Sequence, residues 1–227
     1  MKMKRMALST VAASLLAAGA IIPTAQAEVE VSAEVGVSSM YLWRGYDLGG
    51  GAALWGDLSA SMNGFYAGIW TSSGDEEMGT EYDLYLGYAT DIGDFGFDIG
   101  YATYVYPQDK SDDKKYVSPG KLAEAYLGMS YGPASLTYFK NIARHSDDKE
   151  ALKDYWYAVA DVDVGDFNIA YGQHETKVSH VDLTYSYNEN LSFTLSKIVN
   201  KGRDKGTADE PKDNVNFLVS LSLPIKF

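Results

Sequence analysis

From position 29 onward the chain keeps returning to one pattern, a stretch alternating apolar with small or polar residues, closed by a break. Strict alternation means a strand with two different faces. The first stretch sets Val29, Val31, Ala33, Val35 and Val37 against Glu30, Ser32, Glu34 and Gly36. The second, 53–62, sets Leu54, Leu58, Ala60 and Met62 against Trp55, Asp57, Ser59 and Ser61. Similar stretches follow at 65–72, 81–90, 95–106, 122–131, 134–141, 154–164, 167–174, 181–187, 191–199 and 215–227. The pattern predicts about twelve strands.

The breaks decide the architecture. Asn63-Gly64, Gly93-Asp94, Gly132-Pro133, Gly165-Asp166 and Asn188-Glu189-Asn190 are short turns built from residues that tolerate positive φ. Between them lie long polar connections at 45–51, 73–80, 107–121, 143–153, 175–180 and 200–213. Short and long breaks alternate along the whole chain. An up-and-down transmembrane barrel requires this sorting, with short periplasmic turns and long external loops; a Greek-key sandwich does not. The expected fold is therefore all-β, a closed antiparallel up-and-down barrel in the bacterial outer membrane. Closure follows because lipid offers an open sheet edge no hydrogen-bond partner. The last stretch ends on the aromatic Phe227, which reads as an outer-membrane assembly signal. Pro224 is a local objection, because it cannot donate a ladder hydrogen bond.

The N-terminal segment changes the domain picture. Lys2, Lys4 and Arg5 precede an uncharged apolar run, 7–22, followed by Pro23 and the small-x-small site Ala25-Gln26-Ala27. The run is shorter than the ~20 residues needed to span a bilayer. It reads as a cleaved signal peptide, 1–27, leaving one barrel domain, 28–227. Its removal takes away basic residues only and deepens a formal net charge already at −12. Such acidity argues against nucleic acid as a partner. The expected partners are the lipid bilayer, lipopolysaccharide, the assembly machinery and small polar solutes. The absence of cysteine excludes thiolate metal sites and disulfides. No cofactor is expected. The 18 tyrosines beside a mean hydropathy of −0.21 fit a barrel in which only every second residue meets lipid.

Several segments resemble a known family. Val37-Ser38-Ser39-Met40-Tyr41-Leu42-Trp43-Arg44-Gly45 is similar to the opening strand of the TorF porin family. Gly64 to Trp70, Glu81 to Tyr88, Asp98 to Tyr101 with Tyr106-Pro107, and Glu124 to Gly128 continue the resemblance in order. It covers 32–142, with the remainder similar in architecture only. The resemblance implies a porin-like outer-membrane barrel and names no substrate. It departs after Arg44-Gly45, where Tyr46-Asp47-Leu48 and three glycines replace a small polar run. No role for that loop is carried over.

A pore works through its inward face. Arg44, Asp57, Tyr66, Trp70, Glu81, Asp83, Asp98, Glu124 and Asp182 lie opposite the apolar positions or near a strand end and are the candidate pore-lining residues. Carboxylates avoid hydrocarbon, and Lys140, Lys197 and Arg44 are the basic exceptions in the strands. The expected function is passive diffusion of small polar solutes, cationic or neutral. The alternatives are a non-conducting structural or binding barrel, with Arg44 paired to a carboxylate such as Asp57, and an outer-membrane hydrolase. An enzyme is not expected: His145, His174 and His180 are the only imidazoles, and none sits at triad spacing. His174 and His180 could approach each other across a loop but read as surface residues at loop bases.

The aromatics suggest two girdles. Tyr41, Trp43, Trp55, Trp70, Tyr82, Tyr104, Tyr155 and Tyr157 fall near external strand ends. Phe65, Phe95, Phe97, Tyr131, Phe167, Tyr187 and Phe227 fall near periplasmic ends. Acidic loop clusters at 75–77, 112–113, 147–148 and 209–210 lack the spacing of a calcium loop and read as solvated charge.

Overall fold

A computed structural model describes residues 29–49, 51–75, 78–107, 117–143, 154–204, 211–212 and 214–227. The segment read as a signal peptide lies outside the described residues. So do His145, most of the cluster at 75–77 and the other three acidic loop clusters.

The strands are β1 (Glu30–Ser38), β2 (Leu42–Trp43), β3 (Tyr46–Asp47), β4 (Ala53–Met62), β5 (Phe65–Asp75), β6 (Gly79–Ile92) and β7 (Phe95–Val105). They continue as β8 (Ala123–Tyr131), β9 (Ala134–Ala143), β10 (Trp156–Val164), β11 (Phe167–His174), β12 (Val178–Ser186), β13 (Leu191–Lys201) and β14 (Val215–Ile225). All but β2 and β3 form one closed antiparallel barrel in which each strand pairs with its chain neighbours and β1 closes on β14. This is the twelve-stranded up-and-down ring that the alternation predicts. Closure leaves no exposed ladder edge.

The short turns have the backbone that their residues demand. Asn63 and Gly64 both take positive φ, 54° and 85°, which sets a tight hairpin between β4 and β5. Pro224 pairs with Glu34 of β1 and lies past Leu221, the last β14 residue that β13 reaches. Only one neighbouring strand is therefore touched by its missing N–H.

The outer surface is apolar. Leu54, Phe65, Leu86, Ile92, Ile99 and Leu127 are each more than half exposed, and the pattern repeats on every barrel strand. Ordinary soluble monomers rarely expose apolar patches beyond a few hundred Å². A continuous apolar band around a closed ring is the surface of a transmembrane barrel. Lys140 and Lys197 share this outward face, near the long-loop end. There a long side chain can carry its charge out to the interface.

The girdle expectation holds at the short-turn end, while at the long-loop end Tyr82 fits it and most of the other rings named do not. Phe65, Phe95, Tyr131, Phe167 and Tyr187 are exposed at the short-turn end. At the long-loop end Tyr41, Trp55, Trp70, Tyr104 and Tyr157 are only 2–6% exposed and point into the lumen. The outward rings there are Tyr82, Tyr138, Trp156 and Tyr171, with Tyr138 and Trp156 in ring contact. Nearness to a strand end gave the axial height; the two-residue phase decides which side a ring faces.

Candidate functional site

Beyond Ser38 the chain turns inward. Ser39 still bonds β14 through its N–H to the Val219 carbonyl. Tyr41 is then 2% exposed, and β2 and β3 form a two-stranded hairpin detached from the barrel wall. Its turn is Arg44-Gly45, with φ of 50° and 87°. A tight hairpin turn needs positive φ at both positions, which an arginine adopts at a cost of ~1 kcal/mol or more. Gly45 is needed for space as well, since a Cβ there would lie 2.7 Å from the His180 ring.

The rest of the molecule holds this turn in place. Arg44 donates two hydrogen bonds to Glu124 on β8, at 3.0 and 2.6 Å, with both side chains buried. Tyr104 on β7 donates to the same carboxylate at 2.6 Å. The guanidinium lies 4.5 Å from the ring centres of Trp43 and Tyr157 and 4.6 Å from that of Phe139. Burial works against the arginine charge, but the Glu124 carboxylate outweighs it and holds the Arg44 pKa well above its ordinary value. A fork of donors on a carboxylate, sandwiched by rings, keeps a buried cation fixed in place and in charge state. Glu124 lies on β8, far around the wall from β4, so the sequence-based pairing of Arg44 with Asp57 is corrected.

Two histidines complete the cradle, and both are buried rather than at the surface: His174 is 3% exposed and His180 is 1%. His174 Nε2 lies 2.9 Å from the Arg44 carbonyl, which can only accept, so this nitrogen carries the proton. Its Nδ1 then accepts from the Tyr155 hydroxyl at 2.8 Å. His180 Nδ1 meets Asp182 at 3.0 Å, and its Nε2 meets the Tyr157 hydroxyl at 3.0 Å. The histidine rings are 6.3 Å apart, the close approach expected across the β11–β12 connection.

Toward the short-turn end the inward groups change character. Tyr85 donates to Asp57 at 2.8 Å and Tyr66 to Asp98 at 2.6 Å, while the Tyr66 and Tyr126 hydroxyls meet at 2.6 Å. Each of these rings stands opposite a glycine on the neighbouring strand: Tyr85 by Gly68, Tyr66 by Gly87 and Tyr126 by Gly100. A Cβ on Gly100 would lie 2.2 Å from the Tyr126 hydroxyl, and one on Gly87 would lie 2.3 Å from that of Tyr66. The glycines are slots that let the rings lie along the wall instead of projecting across the lumen. Trp55 uses Gly36 in the same way.

All nine candidate lining residues are on the inward side. Arg44 and Glu124 meet directly. Glu81, which accepts from Tyr41, and Asp83 follow on β6 beside that pair. Asp57, Tyr66 and Asp98 belong to the tyrosine–aspartate layer, Asp182 to His180, and Trp70 packs near Tyr41 with rings 6.1 Å apart. Sequence reasoning missed Tyr85, Tyr104, Tyr126, Phe139, Tyr157 and both histidines as lumen groups. Their signal was phase: Tyr85 and Gly87 share the face of Asp83, and Tyr126 and Gly128 that of Glu124.

An empty space of about 350 Å³ remains between the hairpin and the wall at the long-loop end. It is lined by Tyr41, Trp43, Glu81, Tyr104, Tyr106 and Asn141, among others. Among the described residues no group of three or more metal-binding side chains converges.

A closed ring with an apolar outside, a polar inside and a first long connection folded into the lumen defines a β-barrel of the outer-membrane type. The chain belongs to the family described as a bacterial protein of unknown function, Gcw_chp, which matches residues 23–208. No curated protein matches it. Among solved structures it is similar to outer membrane phospholipase A from Escherichia coli, at 13% identity and a TM-score of 0.45, covering 86% of this chain and 90% of that one. It is also similar to the calcium-bound Salmonella typhi outer membrane phospholipase dimer, at 12% identity, the same TM-score and the same coverage.

Proposed function

We propose that this barrel sits in the bacterial outer membrane and acts as a narrow, porin-like channel for small polar solutes, favouring cations and neutral molecules over anions. The observation that carries this reading is the charge of the inward face. Glu34, Asp57, Glu81, Asp83, Asp98, Glu124, Asp161, Asp163 and Asp182 face inward. Against these, the buried Arg44 has its charge already matched by Glu124, and Lys140 and Lys197 lie on the outward face. An acid-lined passage concentrates cations and repels anions. The in-turned hairpin then sets the constriction at the external end, while the partly exposed Asp57, Asp98 and Asp161 keep the periplasmic half wet. The resemblance to the TorF porins supports the same role. In this reading Phe227, exposed beyond β14, serves assembly, and Lys140 and Lys197 face the lipopolysaccharide leaflet.

We read the barrel as non-enzymatic. The hydroxyls bonded to His174 and His180 are the phenols of Tyr155 and Tyr157, and among the described residues no serine or threonine hydroxyl is bonded to either imidazole as a nucleophile would be. The burial around Arg44 supports a competing reading, a sealed barrel that conducts nothing. Reversal potentials in planar bilayers under a potassium chloride gradient separate the two. The expected result is discrete conductance with a clear preference for potassium. Anion preference, or a membrane that stays silent at high protein load, overturns the channel.

A further inference from the structure

We infer that the space beside the hairpin is a binding site for a small organic cation, an ammonium or guanidinium group on a compact body. The inference deepens the cation-leaning channel reading and rests on it for the ligand's route, though not for the binding itself. Arg44 shows what this interior accepts. Its guanidinium is removed from water, pinned by a carboxylate and flanked by three rings within 4.6 Å. The neighbouring cavity repeats that chemistry. Tyr41, Trp43, Tyr104 and Tyr106 supply aromatic rings, and Glu81, which also accepts from Tyr41, supplies a carboxylate. Among the described residues none of the lining side chains is a lysine or an arginine. Aromatic faces with a nearby carboxylate compensate a cation for its lost hydration, whereas an anion would meet repulsion.

A second observation points the same way. Asn141, 7% exposed, lines the cavity, and its Oδ1 is buried without a hydrogen-bond partner. A buried acceptor left open is costly, and a ligand N–H is the group that satisfies it. The volume of about 350 Å³ is at the lower end of the range for small-molecule sites, so the ligand is small. Lining residues from the β11–β12 connection, Glu175 and Thr176, place the cavity at the long-loop end, on the side from which an external solute enters.

The test titrates the folded full-length chain in detergent with ethylammonium, guanidinium and tetramethylammonium chloride. Sodium chloride controls for ionic strength and tert-butanol for shape without charge. Binding is read by calorimetry and by the fluorescence of Trp43 in the cavity wall. The expected result is saturable binding of all three cations, about tenfold tighter than tert-butanol. Glu81→Gln lowers affinity for every cation about tenfold. Asn141→Leu weakens ethylammonium and guanidinium but spares tetramethylammonium, which has no N–H to donate. Absence of saturation, equal binding of tert-butanol, or a folded Glu81→Gln chain with unchanged affinity overturns the site. If Glu81→Gln does not fold, the unaltered chain and Asn141→Leu decide. Binding without conductance in bilayers sinks the channel and leaves the site standing; conductance without binding sinks the site alone.

Discussion

The two halves of the lumen solve one problem in different ways. Both must hold carboxylates on the inside of a ring that lipid surrounds. In the long-loop half the chain imports a counter-charge: Arg44 arrives on an intruding hairpin and is locked to Glu124, with both side chains nearly inaccessible. In the short-turn half no loop among the described residues enters, and Asp57 and Asp98 are held by the phenols of Tyr85 and Tyr66 while staying partly exposed. A buried charge pair is rigid and intolerant of losing one partner; a phenol–carboxylate pair beside water is forgiving. The comparison predicts a stiff, selective outer constriction above a softer polar vestibule.

The largest effect should come from breaking the stiff half. Arg44→Met leaves Glu124 buried without its counter-ion, at a cost of ~3–5 kcal/mol. It also frees the hairpin, so conductance should rise as the constriction opens. Urea unfolding in vesicles and bilayer recording check the two parts separately. The double variant Arg44→Met/Glu124→Gln should recover much of the stability, because no charge is then stranded. It should retain the higher conductance, because the hairpin has lost its anchor. If the double variant is no more stable than the single one, the pair is not what holds the hairpin down.

Much of this fold was legible in the chain, and the reasons are local. A two-residue period and turns such as Asn63-Gly64 are written in consecutive residues, so strands, turns and barrel closure follow from short windows. The inward side of Asp57, Glu81 and Asp83 follows from the same period. The hairpin was not legible. Arg44-Gly45 reads equally well as the end of a strand, and its partner Glu124 is 80 residues away. Trp55 and Trp70 carried two conflicting readings, a lumen face and an external girdle, and the first holds. Their phase puts them with Asp57 and Tyr66, inside, but their nearness to a strand end suggested a girdle. The glycine slots are pairwise: Gly100 acquires meaning only once β7 and β8 are in register opposite Tyr126.

Those slots give the intermediate prediction. Gly100→Ala forces a methyl against the Tyr126 hydroxyl and within 2.8 Å of the Leu86 carbonyl, in the middle of the wall. The cost should be ~1–3 kcal/mol, in the range of overpacking. Trimming the ring with Tyr126→Leu should return part of it, but not all, because the backbone contact persists. Thermal unfolding of the single and double variants in detergent measures this. A Gly100→Ala chain as stable as the unaltered one would mean that the rings stand off the wall, and that the soft half is wider than the structure shows.

The smallest effect tests the forgiving half. Asp98→Asn keeps an oxygen to accept from Tyr66, and the group is partly exposed, so stability should change by less than ~1 kcal/mol. Charge is what the substitution removes, so the expected change lies in selectivity. The potassium preference should fall modestly while single-channel conductance stays close to its original value. Asp57→Asn should do the same, since Tyr85 bonds it in the same manner. A drop in preference larger than that caused by Glu124→Gln would place the selective step in the wet half. The hairpin would then be a structural plug and not the constriction, because the carboxylate that sets selectivity would be the one ions reach through water, not the one Arg44 already neutralises.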